Sequence, residues 1–112
     1  MQPTAPEMTP AEAYRRAVAG EVLLLDVRED EEWAAGRAAE AVHLPLSRLD
    51  PTAVPADRPV VAVCRVGGRS AAAASALAAR GVEVANLTGG MQAWAAAGLP
   101  VVRDAGAPGE II

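Results

Sequence analysis

Two stretches of this chain, Val22-Leu23-Leu24-Leu25-Asp26-Val27 and Val60-Val61-Ala62-Val63, are almost continuous apolar runs of strand length. Such strands have no polar face to turn to water, so they need cover on both sides, as strands inside parallel sheets do. The rest of the chain supplies that cover. Thr9-Pro10-Ala11-Glu12 predicts a helix start, with Thr9 as N-cap, Pro10 in the first turn and Glu12 closing a capping box. Tyr14, Ala17 and Val18 then give one apolar stripe before Gly20. Glu29 to Ala35 predicts a short helix carrying Trp33 and ending at Gly36, its acidic start reading as a solvated first turn. Ala41 to Leu44 is a brief strand stopped by Pro45, and Ser47 to Leu49 a turn of helix. Pro51, Pro55 and Pro59 punctuate a loop before Val60. Beyond it, Ser70 is the expected N-cap of an alanine-rich helix through Arg80. Val82 to Leu87 is a fourth strand, Gly89-Gly90 a turn, and Met91 to Ala97 a last helix, with Leu99 to Val102 extended along an edge. Strands alternating with helices predict an α/β fold: a small parallel β-sheet flanked by helices on both faces.

A length of 112 residues suits one domain. We place it at residues 9–102, after a flexible lead-in over 1–8 and before a Gly- and Pro-containing tail, 103–112, expected to be partly disordered unless Ile111 and Ile112 dock. Hydrophobic residues make up 52% but aromatics only 3%, so Val and Leu strands must meet Ala-faced helices at close range. The net charge of −4 argues against a nucleic-acid partner, which would need a basic footprint. All 10 basic residues are Arg, leaving no lysine for Schiff-base chemistry or a P-loop. The single cysteine excludes an internal disulfide and a multi-thiolate metal site. No secretory n-region or bilayer-length apolar run is present, so a soluble cytoplasmic protein without membrane partners is expected.

That cysteine, Cys64, sits where chemistry gathers in such folds, outside the carboxyl end of a strand. It opens the run Cys64-Arg65-Val66-Gly67-Gly68-Arg69-Ser70. Paired glycines let a turn curl until its N–H groups converge on one point, and a following helix adds its positive end. Arg65 and Arg69 flank this turn with permanent charge, so a Cys64 thiolate and an anionic substrate would both be stabilised. Taken singly, Cys64 reads equally as a small core residue, the arginines as solvated charges and the glycines as a simple turn. Asp26 and Arg28, which close the first apolar run, read as a structural ion pair or a cap for a neighbouring loop. Gly89, Gly90 and Trp94 read as a tight turn and a core anchor, with Trp94 alternatively walling a pocket.

The run from Cys64 to Ser70 resembles the active-site loop of rhodanese-like domains. Leu24-Leu25-Asp26-Val27-Arg28-Glu29 resembles that family's early strand motif, and Leu87 to Trp94 with Gly98-Leu99-Pro100-Val101 its C-terminal signature. Arg37 and Glu40 depart from the pattern, standing where His and Gly are usual, and they touch local geometry more than chemistry. His43, the only histidine, reads as a strand or loop residue rather than a base or a metal ligand. The resemblance implies a thiosulfate sulfurtransferase working without metal or organic cofactor. Cys64 would take the outer sulfur of a small anionic donor, and a thiol, cyanide or an acceptor protein would remove it. Backbone amides of residues 65–69, spanning Arg65, Val66, Gly67, Gly68 and Arg69, would hold the persulfide. Arg65 and Arg69 would bind the donor's oxyanion end, while Asp26 and Arg28 shape the scaffold, with Arg28 near the pocket. Two alternatives stand beside this: a non-enzymatic persulfide carrier or protein-docking module, and an arsenate reductase or phosphatase. The last uses a similar cradle with one residue more between Cys and Arg than the four here.

Overall fold

A computed structural model describes residues 5–55 and 57–112. Five strands, β1 (Glu7–Met8), β2 (Leu23–Asp26), β3 (Ala41–His43), β4 (Val60–Val63) and β5 (Val84–Leu87), form one sheet in the order β1-β5-β4-β2-β3. Every pairing is parallel. Four helices, α1 (Pro10–Val18), α2 (Asp30–Ala35), α3 (Gly68–Ala78) and α4 (Gly90–Ala96), complete the α/β fold expected from the alternating pattern. Among the described residues no helix is long and apolar enough to cross a membrane.

The period-two geometry of the strands divides the core in two. Leu23, Leu25 and Val27 from the β2 run, with Val60, Ala62 and Cys64 from the β4 run, face Ala73, Ala74 and Leu77 of α3. Leu24, Val61, Val63 and Leu87 face the other way, onto Ala13 and Ala17 of α1 and Met91 and Trp94 of α4. Both faces are covered, which is why β2, β4 and β5 are buried at every position. The alternation also fixes the cysteine: continuing the parity of Val60 and Ala62 turns Cys64 toward α3. The β2–β4 neighbourhood is where strand order reverses, since β3 lies on one side of β2 and β4 on the other.

Several local expectations are corrected. The lead-in is not loose where it is described: Glu7–Met8 is an edge strand on β5, pinned by Asn86 N–H to the Pro6 carbonyl and Thr88 N–H to the Met8 carbonyl. Residues 1–4 lie outside the described residues. Thr9 caps α1 by accepting from Glu12 N–H, but the Glu12 carboxylate turns to Arg15 and Arg16. Val18 is exposed, and Ala13 and Ala17 carry the buried stripe of α1, because only small side chains fit where α1 lies close to the sheet. The tail docks on the domain as well. Gly109 N–H reaches the Val101 carbonyl, Glu110 N–H the Ala35 carbonyl, and Ile111 packs on the α1/α4 core.

Candidate active site

Cys64 follows β4 directly, and α4 fixes the chain just beyond it. The first amides of α4 are spent on this loop: Met91 N–H donates to the Cys64 carbonyl at 2.8 Å and Gln92 N–H to the Arg65 carbonyl at 2.9 Å. So close an approach requires Gly90, where a Cβ would lie 2.5 Å from the Cys64 carbonyl oxygen and φ is +61°. Gly67 has a second left-handed conformation, φ +113°, and its N–H points at the sulfur, 3.0 Å from Sγ. Helix α3 starts at once from Gly67, so Ser70 is not the N-cap; it lies inside the first turn, buried. Freed from capping, its hydroxyl lies 3.2 Å from Cys64 Sγ.

Cys64 itself is 1% exposed. Burial pushes its thiol up, but the Ser70 hydroxyl and the N–H groups of Ser70, Gly67 and Val66 outweigh that and hold it below the ordinary cysteine value. Hydrogen bonds from the turn are therefore the main stabilisation of the thiolate, and the Arg69 charge is a lesser one.

The arginines do not behave as a pair. Arg65 is exposed beside Val66, and among the described residues its side chain makes no hydrogen bond or ion pair. It lines an open cleft with Gln92, Ala95 and the tail residues Gly109 to Ile111. Arg69 is already engaged: Nη1 and Nη2 grip both oxygens of Glu32 at 2.7 and 2.8 Å. That hydrogen-bonded pairing takes the Glu32 carboxyl down to about 2 and pushes Arg69 further up. Glu32 is thus not a solvated first-turn residue. It reaches from α2 to the loop while accepting from Glu29 N–H in the α2 capping box.

Behind the sulfur runs a polar chain built from a residue that the sequence reading passed over. Asn86 of β5 is 4% exposed and lies 2.6 Å from Ser70 Oγ through Oδ1. Its Nδ2 donates to the Gly67 carbonyl at 3.2 Å and to Glu7 Oε2 at 3.0 Å. The available signal was a lone polar residue inside an otherwise apolar strand. Glu7 carried no signal, since it looked like part of the lead-in.

Asp26 and Arg28 form a fully buried bidentate pair, with Nη2 to Oδ2 at 2.7 Å and Nε to Oδ1 at 2.9 Å. Arg28 also donates to the Gly36 carbonyl at 2.7 Å, so it binds β2 to the end of α2 and serves the frame rather than the loop mouth. Arg37 stacks on Trp33 and bonds the Trp33 carbonyl and Asp104, tethering the tail. His43 stacks on the same Trp33, and its Nε2 donates to the Arg28 carbonyl. Trp94 is core, edge-on to Tyr14, with Nε1–H donating to the Pro100 carbonyl.

Comparison with known proteins agrees with this architecture. The family model described as "Rhodanese-like domain" matches residues 9–97. A sulfurtransferase of Allochromatium vinosum is 41% identical over 97 residues, covering 84% of this chain and 91% of that protein. An HTH-type transcriptional regulator of Mycobacterium tuberculosis is 45% identical over 105 residues, covering 90% of this chain and 46% of the regulator. An uncharacterised Synechocystis protein is 40% identical over 94 residues, covering 81% of this chain and 52% of that protein, so the chain spans about half the length of these last two relatives. The solved structure of a rhodanese-related protein from Thermoplasma volcanium superposes with a TM-score of 0.80 at 31% identity, covering 87% of this chain and 97% of that one. The chain belongs to the rhodanese-like domain family.

Proposed function

We propose that this chain is a sulfurtransferase that carries a sulfane sulfur as a Cys64 persulfide. The observation that carries the reading is the sulfur cradle: Sγ within 3.0 Å of Gly67 N–H and 3.2 Å of Ser70 Oγ, at the start of α3. Membership of the rhodanese-like family and similarity to a protein named sulfurtransferase support it. In the first step the Cys64 thiolate attacks the outer sulfur of thiosulfate. The S–S bond of the donor breaks, its electron pair leaves with sulfite, and the outer sulfur stays as Cys64–S–S⁻. In the second step a nucleophile such as cyanide attacks that outer sulfur, and the Cys64 thiolate leaves. The chain has 1 cysteine, so no internal thiol resolves the persulfide and the acceptor is external.

Arg65 is the donor's counter-charge, because Arg69 is committed to Glu32. That commitment also weighs against a phosphatase or arsenate reductase, in which the second arginine must be free to hold a tetrahedral oxyanion. Initial rates with thiosulfate and cyanide varied together test the proposal. Parallel double-reciprocal lines, lost entirely in Cys64→Ser, are expected. Intersecting lines, or activity surviving in Cys64→Ser, would contradict it.

A further inference from the structure

The sulfur-transfer reading gives Asn86 no role, yet it is a buried polar side chain with each amide atom engaged. Its neighbours fix which way the amide points. The Gly67 carbonyl and the Glu7 carboxylate can only accept, so the NH₂ group faces them. Oδ1 is then turned to Ser70 Oγ, 2.6 Å away, and a carbonyl oxygen also only accepts. In this arrangement the single hydroxyl proton of Ser70 belongs to Asn86. The same hydroxyl lies 3.2 Å from Cys64 Sγ, close enough to donate to it, but while its proton is on Asn86 only its oxygen faces the sulfur, which suits the S–H form. A thiolate needs the opposite: the hydroxyl must turn from Asn86 to the sulfur, leaving a buried Oδ1 without a donor.

We propose that Asn86, anchored by Glu7 on the edge strand, is a positioning residue that competes with Cys64 for the one proton of Ser70. It thereby restrains thiolate formation and keeps the sulfur more basic than the turn alone would leave it. A more basic thiolate is the stronger nucleophile toward sulfur, while the smaller ionised fraction limits unwanted capture of the thiol. The charges around the sulfur are Arg65 on the loop, Arg69 held by Glu32 of α2, the Asp26–Arg28 pair beyond the neighbouring strand, and Glu7 beyond Asn86. Of these, only Glu7 bonds Asn86, and in Asn86→Ala it keeps its second contact, from the Thr88 hydroxyl to Oε1.

The proposal rests on Cys64 reacting as a thiolate, as sulfur transfer requires. Its test uses no sulfur donor, so the two readings fail separately. The pH dependence of Cys64 alkylation by iodoacetamide is followed by intact mass. Asn86→Ala should lower the midpoint by about 0.5–1 pH unit, and Ser70→Ala should raise it by a similar amount. The proposal routes the effect of Asn86 through Ser70 and not through its bond to the Gly67 carbonyl, so the double variant should titrate with Ser70→Ala. A midpoint that rises or stays put in Asn86→Ala, or a double variant that sums the two single shifts, would overturn the proposal. Asn86→Leu keeps the volume and carries the same expectation if the alanine variant is unstable.

Discussion

Two arginine–carboxylate pairs lie around the candidate site, and they differ in depth and in reach. Asp26 and Arg28 are two residues apart and both 0% exposed, and Arg28 also donates to the Glu32 and Gly36 carbonyls. Glu32 and Arg69 are 37 residues apart, and their side chains are 15% and 37% exposed. The inner pair is satisfied wholly by protein and makes a frame between β2 and α2. The outer pair sits at the loop and matches the Arg69 charge with that of Glu32. Similar chemistry thus gives rigidity at one depth and charge control at another.

Removing one partner separates the two roles. Arg28→Ala leaves the buried Asp26 charge uncompensated and should cost about 3–5 kcal/mol in denaturant unfolding. Glu32→Gln should cost less, about 1–2 kcal/mol, because the pair is bidentate but partly open to solvent. The Glu32 carboxyl is held at about 2, below its ordinary 4.5, so its contribution is complete above pH 4.5 and fades as pH falls toward 2. The stability gap between Glu32→Gln and the unaltered protein should close over that window. Comparable losses from the two variants would erase the distinction between frame and mouth.

Smaller effects sharpen the comparison on the functional side. If Arg65 is the donor's counter-charge, as proposed above, Arg65→Ala should raise the KM for thiosulfate about tenfold. Glu32→Gln should lower that KM about two- to fivefold by releasing Arg69 to the mouth. An unchanged KM in Glu32→Gln would mean that the pair does not set the local charge.

These contrasts also account for what was legible in the sequence. Apolar runs, alternation and glycine stops disclosed β2, β4, the helices and the position of Cys64, because each is a local pattern read within a few residues. The Asp26–Arg28 pair was visible for the same reason. The roles of Glu32 and Asn86 were not, although Asn86 stands out as a polar residue in an apolar strand, since their partners come from other elements and only the folded register brings them together. Ser70 was placed one role away from its own: Gly67 accepts the left-handed conformation that starts α3 early, and this turns Ser70 from cap to sulfur neighbour. The short edge strand Glu7–Met8 has too few residues to show a period, yet it supplies the Glu7 anchor of Asn86. Arg37, at the position where the resemblance predicts His, has its own partners in Trp33 and Asp104.

The central claim is that Cys64 holds the transferred sulfur. Intact mass of the protein after thiosulfate, and again after cyanide, tests it most directly. The account predicts a gain of one sulfur atom, reversed by cyanide with thiocyanate released, and no gain in Cys64→Ser. An unchanged mass after thiosulfate, or a gain that persists in Cys64→Ser, would contradict it.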